Sequence, residues 1–439
     1  MLISMMEKGC KVGFFGLGLS SAALLECLPL KKCRVTLRSD SDINWSAIPC
    51  GAKIERIFVG KSAYEDIDED IIVFSPSVKR ERPELLAAQS RGSIFTSDAE
   101  LFFASNDRPV FAVTGSDGKS TTSAITHLLL EAGRVNSKLI GNIGKPLLPE
   151  INTADCFVCE LSSFMLTYLT PKSIRGTITN ITPNHLDWHI CFEEYKKTKI
   201  SLAKNCENLV ITDGLSEIKG AFGIVSIERD FASLCRFYDA EIYMTLEDGY
   251  ILRNGKKIVG VNEIKRNERH NLINAMIAIS MTDGYVGDCE IREVLRRFGG
   301  LAHRCEKIFT ENGIDFYDSS IDSTPVRTAM TLESLGRSVT IILGGKSKGL
   351  DFSNLLPNLK KYARQVVITG ENAQEIYSAI GKETDAFIIP SFEEAIKEGK
   401  RLAKETGALL LSPASTSYDS FRNYAERGER FKAIITKKD

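Results

Sequence analysis

Val113-Thr114-Gly115-Ser116-Asp117-Gly118-Lys119-Ser120-Thr121-Thr122 joins an apolar run, Val110 to Val113, to a segment of helical spacing. The run reads as a buried strand. Ala124, Ile125, Leu128, Leu129 and Ala132 recur on one helical face, and Gly133 reads as a stop. Strand, glycine loop and Gly-Lys-Ser at a helix start make a phosphate cradle. Glycines let backbone N–H groups close on phosphate oxygens, and the helix N-terminus adds partial positive charge. Lys119 can reach terminal phosphates, and the Ser120 hydroxyl can ligate Mg²⁺. Gly115, Ser116, Asp117, Gly118 and Thr121 complete the candidate phosphate loop. Strict Walker spacing would put a glycine at Val113, so the loop is a variant of that motif.

A chain of 439 residues exceeds one hydrophobic core, so several domains are expected. A net charge of −1 gives no field favouring nucleic acid or a membrane surface. The apolar stretch Val12 to Leu25 is too short to span a bilayer. Its Gly-x-Gly pattern and the lack of a small-residue cleavage site argue against a signal peptide. Eleven cysteines, an odd number without a framework, read as reduced thiols, and a cytoplasmic location follows. Cys156-x-x-Cys159 with His185-x-x-x-His189 imitates a zinc spacing. However, Cys156 to Cys159 reads as a strand, where residues three apart face opposite ways.

The pattern is α/β in three blocks. In residues 1–105, Lys11 to Phe15 leads into Gly16-Leu17-Gly18-Leu19-Ser20-Ser21, a Rossmann-like first turn. The next strand runs into Arg38-Ser39 instead of a ribose-binding acid. Arg38 suits a phosphate, which discounts NAD. A further strand, Asp70 to Phe74, ends in the polar loop Ser75-Pro76-Ser77. In residues 106–302 a parallel sheet is expected to follow the phosphate loop. Strands Ala154 to Cys159 and Gly176 to Ile181 end at Glu160 and at a loop containing His185. If these strands neighbour the first, Lys119, Glu160 and His185 share the carboxyl edge where open α/β sheets bind ligands. Glu160 and His185 then become candidate cation ligands, against the plainer readings of a cap and a loop histidine. Tyr195 and Lys199 share a helix face at i, i+4. Asp248-Gly249 and Asn254-Gly255 signal hairpins. Asn271 and Asn274 open a helix, where carboxamides either read a purine edge or cap the helix. Residues 303–439 form a second Rossmann-like unit, with polar loops at 317–325, 344–349 and 412–417.

Together with Gly141-Asn142-Ile143-Gly144, Glu160-Leu161-Ser162-Ser163-Phe164, Asn184-His185-Leu186-Asp187, His270-Asn271-x-x-Asn274-Ala275, His303-Arg304, Gly344-Gly345-x-x-Lys348-Gly349 and Ser412-Pro413-Ala414, these residues resemble the Mur ligase family. These are ATP-dependent amino-acid ligases of peptidoglycan precursor synthesis. Asp419-x-Phe421-x-x-Tyr424-x-x-Arg427-Gly428 is similar to the branch that adds D-glutamate to UDP-N-acetylmuramoyl-L-alanine. The resemblance implies a UDP-binding domain at 1–105, an ATP-binding domain at 106–302 and an amino-acid-binding domain at 303–439. It implies ATP and two Mg²⁺, with Ser120, Glu160, His185 and a carbamylated Lys199 as metal ligands. Lys119, Glu160, His185 and Lys199 would be the catalytic set. Asn271, Asn274, Arg304 and Asp318 would lie at the nucleotide. Asn142 and Ser162 would bind the muramoyl substrate, Leu19, Ser20, Arg38 and Ser75 the UDP end, and Lys348, Ser417 and Tyr424 the D-glutamate. A monomer acting on small molecules is expected, without nucleic-acid or membrane partners. Tyr424 replaces a frequent Phe, Leu37-Arg38-Ser39 a more acidic run, and Ser320 a frequent Lys. A folylpolyglutamate-type ligase on the same core is the nearest alternative, and a nicotinamide-dependent oxidoreductase or a non-catalytic nucleotide-binding module lies further off.

Overall fold

The computed structural model describes residues 2–40, 48, 53–186, 188–347 and 349–437, with the side chain of Leu19 outside that description. The chain forms two compact units, Met1–Phe298 and Gly299–Asp439. The described residues form two sheets in the first unit and one in the second.

The first sheet contains β1 (Lys11–Phe15), β2 (Arg34–Ser39), β3 (Ile54–Val59), β4 (Ile71–Phe74) and β5 (Ile94–Ser97), in the order β3-β2-β1-β4-β5. All pairs are parallel. Val12, Phe14, Ile71 and Val73 are fully buried, as expected of parallel strands covered on both faces. Strand order reverses at β1. The crevice between the ends of β1 and β4 is therefore flanked by the Gly16 turn and the Ser75 turn.

The nine-stranded sheet adds β6 (Val110–Thr114), β7 (Ser137–Gly141), β8 (Cys156–Glu160), β9 (Ser173–Ile178), β10 (Cys206–Thr212), β11 (Gly223–Val225), β12 (Ile242–Glu247), β13 (Tyr250–Arg253) and β14 (Lys256–Gly260). Its order is β14-β13-β12-β11-β10-β9-β6-β8-β7. β6 lies between β8 and β9, parallel to both, with Val113 in register with Glu160 and Thr177. The strand ends carrying Lys119, Glu160 and the His185 loop are thus neighbours. The two hairpin signals form as read. Asp248 and Gly249 (φ 50° and 74°) and Asn254 and Gly255 (φ 50° and 75°) turn the antiparallel β12-β13-β14 meander.

Two sequence expectations shift. Leu128 is exposed, and the packed stripe of helix Lys119–Ala132 is Ala124, Ile125, Leu129 and Leu130. β9 ends at Ile178, three residues early, which frees Thr179 to Thr182 to fold over the phosphate loop. Among the described residues, no helix is long and apolar enough to cross a membrane.

The second unit contains β15 (Glu306–Glu311), β16 (Ile314–Asp318), β17 (Val339–Gly344), β18 (Ala363–Thr369), β19 (Ala386–Ile388) and β20 (Ala408–Leu411). Their order is β15-β16-β20-β17-β18-β19, with only β15 antiparallel to its neighbour. The ends of β16, β20 and β17 lie side by side, so the polar loops after Asp318, Leu411 and Gly344 share one edge.

Candidate active site

The phosphate loop is held from outside by the segment after β9. Thr179 Oγ1 donates to the Asp117 carbonyl at 2.5 Å, and the Asp117 N–H donates to Asn180 Oδ1 at 2.9 Å. The Ser116 N–H reaches the Asn180 carbonyl, and Ser116 Oγ donates to the Thr182 carbonyl, both at 2.9 Å. Two positions accept only glycine. Gly115 (φ 145°) and Gly118 (φ 78°) are outside the ordinary range, and a Cβ would collide with Thr179 Oγ1 or Asn274 Oδ1 respectively. Helix Lys119–Ala132 starts at Gly118 without a side-chain cap, so its first turn presents backbone donors to an anion. Lys119 Nζ donates to the Gly115 and Ser116 carbonyls at 2.9 and 2.5 Å. The Asp117 side chain is exposed, with an oxygen 3.4 Å from Thr182 Oγ1. Ser120 is buried in the first helical turn, and Thr121, next to it, is half-buried.

Beside this loop lies Lys199, only 1% exposed, on helix Phe192–Ile200. Its Nζ is 3.4 Å from Thr114 Oγ1 and 4.8 Å from the Tyr195 ring centroid, and Tyr195 OH in turn bonds Ser116 Oγ at 2.8 Å. Burial, reinforced by the charge of Lys119, pushes the Lys199 amine down to about 6, so it is neutral at physiological pH. Glu160 is fully buried at the end of β8. Oε1 accepts from Asn142 Nδ2 at 2.6 Å, while Oε2 is buried without a hydrogen-bond partner. A buried carboxylate oxygen left without a donor is costly, and a cation is the natural remedy. His185 is exposed, takes the left-handed conformation (φ 53°), and sets its ring 4.9 Å from that of Phe164. A carboxylate oxygen, an imidazole and a hydroxyl on neighbouring strand ends fit a divalent cation at phosphates. Cys156 and Cys159 are buried free thiols on β8, and burial pushes the Cys159 thiol well up, which suits core packing and not a zinc thiolate.

Several candidate residues turn out to serve the scaffold. Arg38 is completely buried. Its guanidinium pairs with the equally buried Glu69 (2.9 Å) and bonds the carbonyls of Ala63, Glu65 and Asp66. With its side chain fully buried and four of its five N–H donors spent on these partners, Arg38 serves the scaffold and is not open to a UDP phosphate, which corrects the expectation for this residue. Ser162 caps helix Ser163–Tyr168 by accepting from the Met165 N–H. Asn271 donates to Glu268 at the helix start, and Asn274 accepts from Thr122 Oγ1 and backs Gly118. Asn274 therefore supports the phosphate loop directly. At the β1–β4 crevice, Gly16 approaches Ser75 too closely for a side chain, and the buried Asp98 accepts from the Leu147 and Leu148 N–H groups.

In the second unit, Asp318 is fully buried and its oxygens are taken by His303 Nδ1 (2.6 Å) and the Ser320 N–H (2.9 Å). It orients His303, next to Arg304, and presents no open carboxylate to a nucleotide. His303, Glu306 and Asp318 cluster like metal ligands, but Lys432 Nζ already sits 2.9 Å from Glu306 and 3.9 Å from Asp318. Ser320 Oγ donates to the Tyr424 carbonyl and accepts from Arg427 Nε. Arg427 is buried and also donates to the carbonyls of Ser320, Ser415 and Thr416 at 2.9 to 3.0 Å. Ser417 is buried, its carbonyl accepting the Phe421 N–H, and the Tyr424 side chain is exposed. Lys348 lies outside the described residues.

Sequence reasoning missed Asn180, which clamps the phosphate loop, and met His189 only as part of the zinc-like spacing it set aside. His189 is 2% exposed, with both ring nitrogens lacking hydrogen-bond partners among rings of Phe164, Trp188 and Tyr195. The available signal was the polar run Thr179-Asn180 directly after an apolar strand.

Comparison with known proteins bears on this geometry. The model of the Mur ligase middle domain matches residues 113–282, and that of the Mur ligase glutamate ligase domain matches residues 303–415. The UDP-N-acetylmuramoylalanine--D-glutamate ligase of Clostridium tetani is 30% identical, across 97% of this chain and 96% of its own. That of Acetivibrio thermocellus is 32% identical, across 98% and 96%. Among solved structures, the UDP-N-acetylmuramate-alanine ligase of Thermotoga maritima shares the fold at TM-score 0.58 and 18% identity, across 97% of this chain and 99% of its own. The folylpolyglutamate synthase of Thermotoga maritima does so at TM-score 0.52 and 12% identity, across 77% and 92%. A phosphate loop and an orphaned buried carboxylate on adjacent strand ends, a buried lysine on the helix beside them, and relatives that match the chain over nearly its whole length have one reading: the chain belongs to the Mur ligase family.

Proposed function

We propose that the protein joins D-glutamate to UDP-N-acetylmuramoyl-L-alanine with ATP, through an acyl phosphate. The observation that carries this reading is the convergence of Lys119, the unpartnered Glu160 oxygen and neutral Lys199 at the ends of β6 and β8 and beside them. The identity of the relatives supports the choice of amino acid and nucleotide sugar.

A carboxylate is a poor electrophile and must be activated before an amine can attack. An oxygen of the alanyl carboxylate attacks the γ-phosphorus of ATP and ADP leaves. The deprotonated amine of D-glutamate then attacks the carbonyl carbon, and phosphate leaves from the tetrahedral intermediate. Lys119 and the first turn of its helix stabilise charge on the transferred phosphoryl group. Asn142 fixes one oxygen of Glu160, so the other stays aimed at a cation. Glu160, His185, Ser120 and Lys199 as a carbamate would hold Mg²⁺ at two sites, which supplies charge neutralisation at the phosphates. The carbamate forms when the neutral Lys199 amine adds to carbon dioxide, making an N–C bond and releasing a proton. A cationic lysine could not do this.

The reading assigns residues 1–105 to the UDP end, 106–302 to ATP and 303–439 to D-glutamate, with Arg304 at the nucleotide and Lys348, Ser417 and Tyr424 at the amino acid. It takes the enzyme to be a cytoplasmic monomer that needs no nucleic acid or membrane.

Phosphate release tests it. Release should require both UDP-N-acetylmuramoyl-L-alanine and D-glutamate. Release that requires a folate, or no second substrate, overturns the reading. Lys199→Ala is expected to lower turnover by about ten- to a hundredfold, with partial recovery on adding formate or acetate. Equal activity with and without added carboxylate would count against a carbamate.

A further inference from the structure

The segment that follows the Ser75 turn is bonded at two points to the helix after β8 and the loop after β9. Ser75 opens the turn, its carbonyl accepting the Val78 N–H at 3.0 Å. Two residues on from Ser75, the Ser77 carbonyl accepts from Trp188 Nε1 at 2.9 Å, and Lys79 Nζ lies 5.3 Å from the Trp188 ring centroid. Further on, the Arg80 N–H donates to Tyr168 OH at 3.1 Å, and that hydroxyl donates to Glu81 at 2.8 Å. The Arg80 guanidinium lies 4.2 Å from the Tyr168 ring centroid and pairs with both oxygens of Glu100.

The two anchors are placed tellingly. Trp188 is three residues past His185 and donates its own N–H to the His185 carbonyl at 3.1 Å. Tyr168 ends helix Ser163–Tyr168, which starts three residues after Glu160. The Trp188 ring also packs 4.8 Å from Phe164 of that helix. The strap therefore ties the nucleotide-side crevice of the first sheet to the two chain segments that leave the candidate cation ligands.

We propose that residues 75–82 are a positioning strap, in which Trp188 and Tyr168 set the place of the Ser75 turn relative to the Glu160–His185 edge and so tune binding of the nucleotide-sugar substrate. This rests on the substrate reading given above. None of the anchoring groups is assigned a contact with substrate, so their effect is confined to placement.

Trp188→Phe keeps a ring and removes the donor to Ser77. Tyr168→Phe keeps a ring and removes the hydroxyl shared by Arg80 and Glu81. One neutral hydrogen bond corresponds to a factor of about five. Each variant should raise both the Kd for UDP-N-acetylmuramoyl-L-alanine alone, measured calorimetrically, and its KM by about five- to tenfold. Their kcat and KM for ATP should stay within about twofold of wild type. If wild type binds the nucleotide sugar and both variants bind it equally well, the strap proposal fails alone. A parallel rise in KM for ATP likewise overturns it, because that is general loosening. If wild type does not bind the nucleotide sugar, the substrate reading and the strap fall together.

Discussion

Lys119→Ala should reduce ATP-dependent ligation by about a thousandfold, the scale seen when a preorganised donor to developing charge is removed. The fold should survive. The Lys119 side chain bonds the carbonyls of Gly115 and Ser116, but the loop is also held by Thr179, Asn180 and Thr182 through groups this substitution leaves intact. The loss should therefore appear in kcat with the far-ultraviolet circular dichroism unchanged. Turnover within about tenfold of wild type would mean that the phosphates lie elsewhere.

Arg427→Ala is expected to have the largest effect on stability. The guanidinium joins the loops after β16 and β20 through three buried carbonyls and Ser320 Oγ. Burial lowers the Arg427 pKa to about 10, which still leaves it charged at neutral pH. Alanine would leave the buried Ser320 and Ser415 carbonyls without a donor inside the protein, while the Thr416 carbonyl keeps the Lys346 N–H. Each unsatisfied buried acceptor costs about 1–3 kcal/mol, so a total of about 3–5 kcal/mol is a conservative expectation. The second unit should then melt about 10 °C earlier. Arg427→Lys should recover only part of this, because one ammonium cannot span the acceptors that a planar fork reaches. A Tm within about 2 °C of wild type for the alanine variant would show that these loops are held by other means.

Local rules carry much of the fold. The phosphate loop, the Asp-Gly and Asn-Gly turns and the apolar strands all depend on residues close together in sequence, and all were legible there. The shared edge of Lys119, Glu160 and His185 was legible too, since parallel strands put their carboxyl ends together. What failed was the fate of individual polar side chains. Arg38 reads as a phosphate ligand until Glu69, 31 residues on, is found buried against it. Asn274 reads as a base-recognising amide, yet it meets Thr122 and Gly118, more than 150 positions earlier. Asp318 similarly belongs to His303. Burial is decided by partners distant in sequence, and a residue type alone does not say which polar groups are already satisfied. The early end of β9 has the same origin, because Thr179 and Asn180 bond the phosphate loop instead of extending the strand.

The central claim is that this edge activates a carboxylate by phosphorylation before an amine displaces phosphate. The most direct test is to run the two-substrate assay with isotopically labelled oxygen in the alanyl carboxylate of UDP-N-acetylmuramoyl-L-alanine. The account predicts that one labelled oxygen per turnover appears in the released inorganic phosphate. Product formed with unlabelled phosphate, or with the label in AMP, would contradict it.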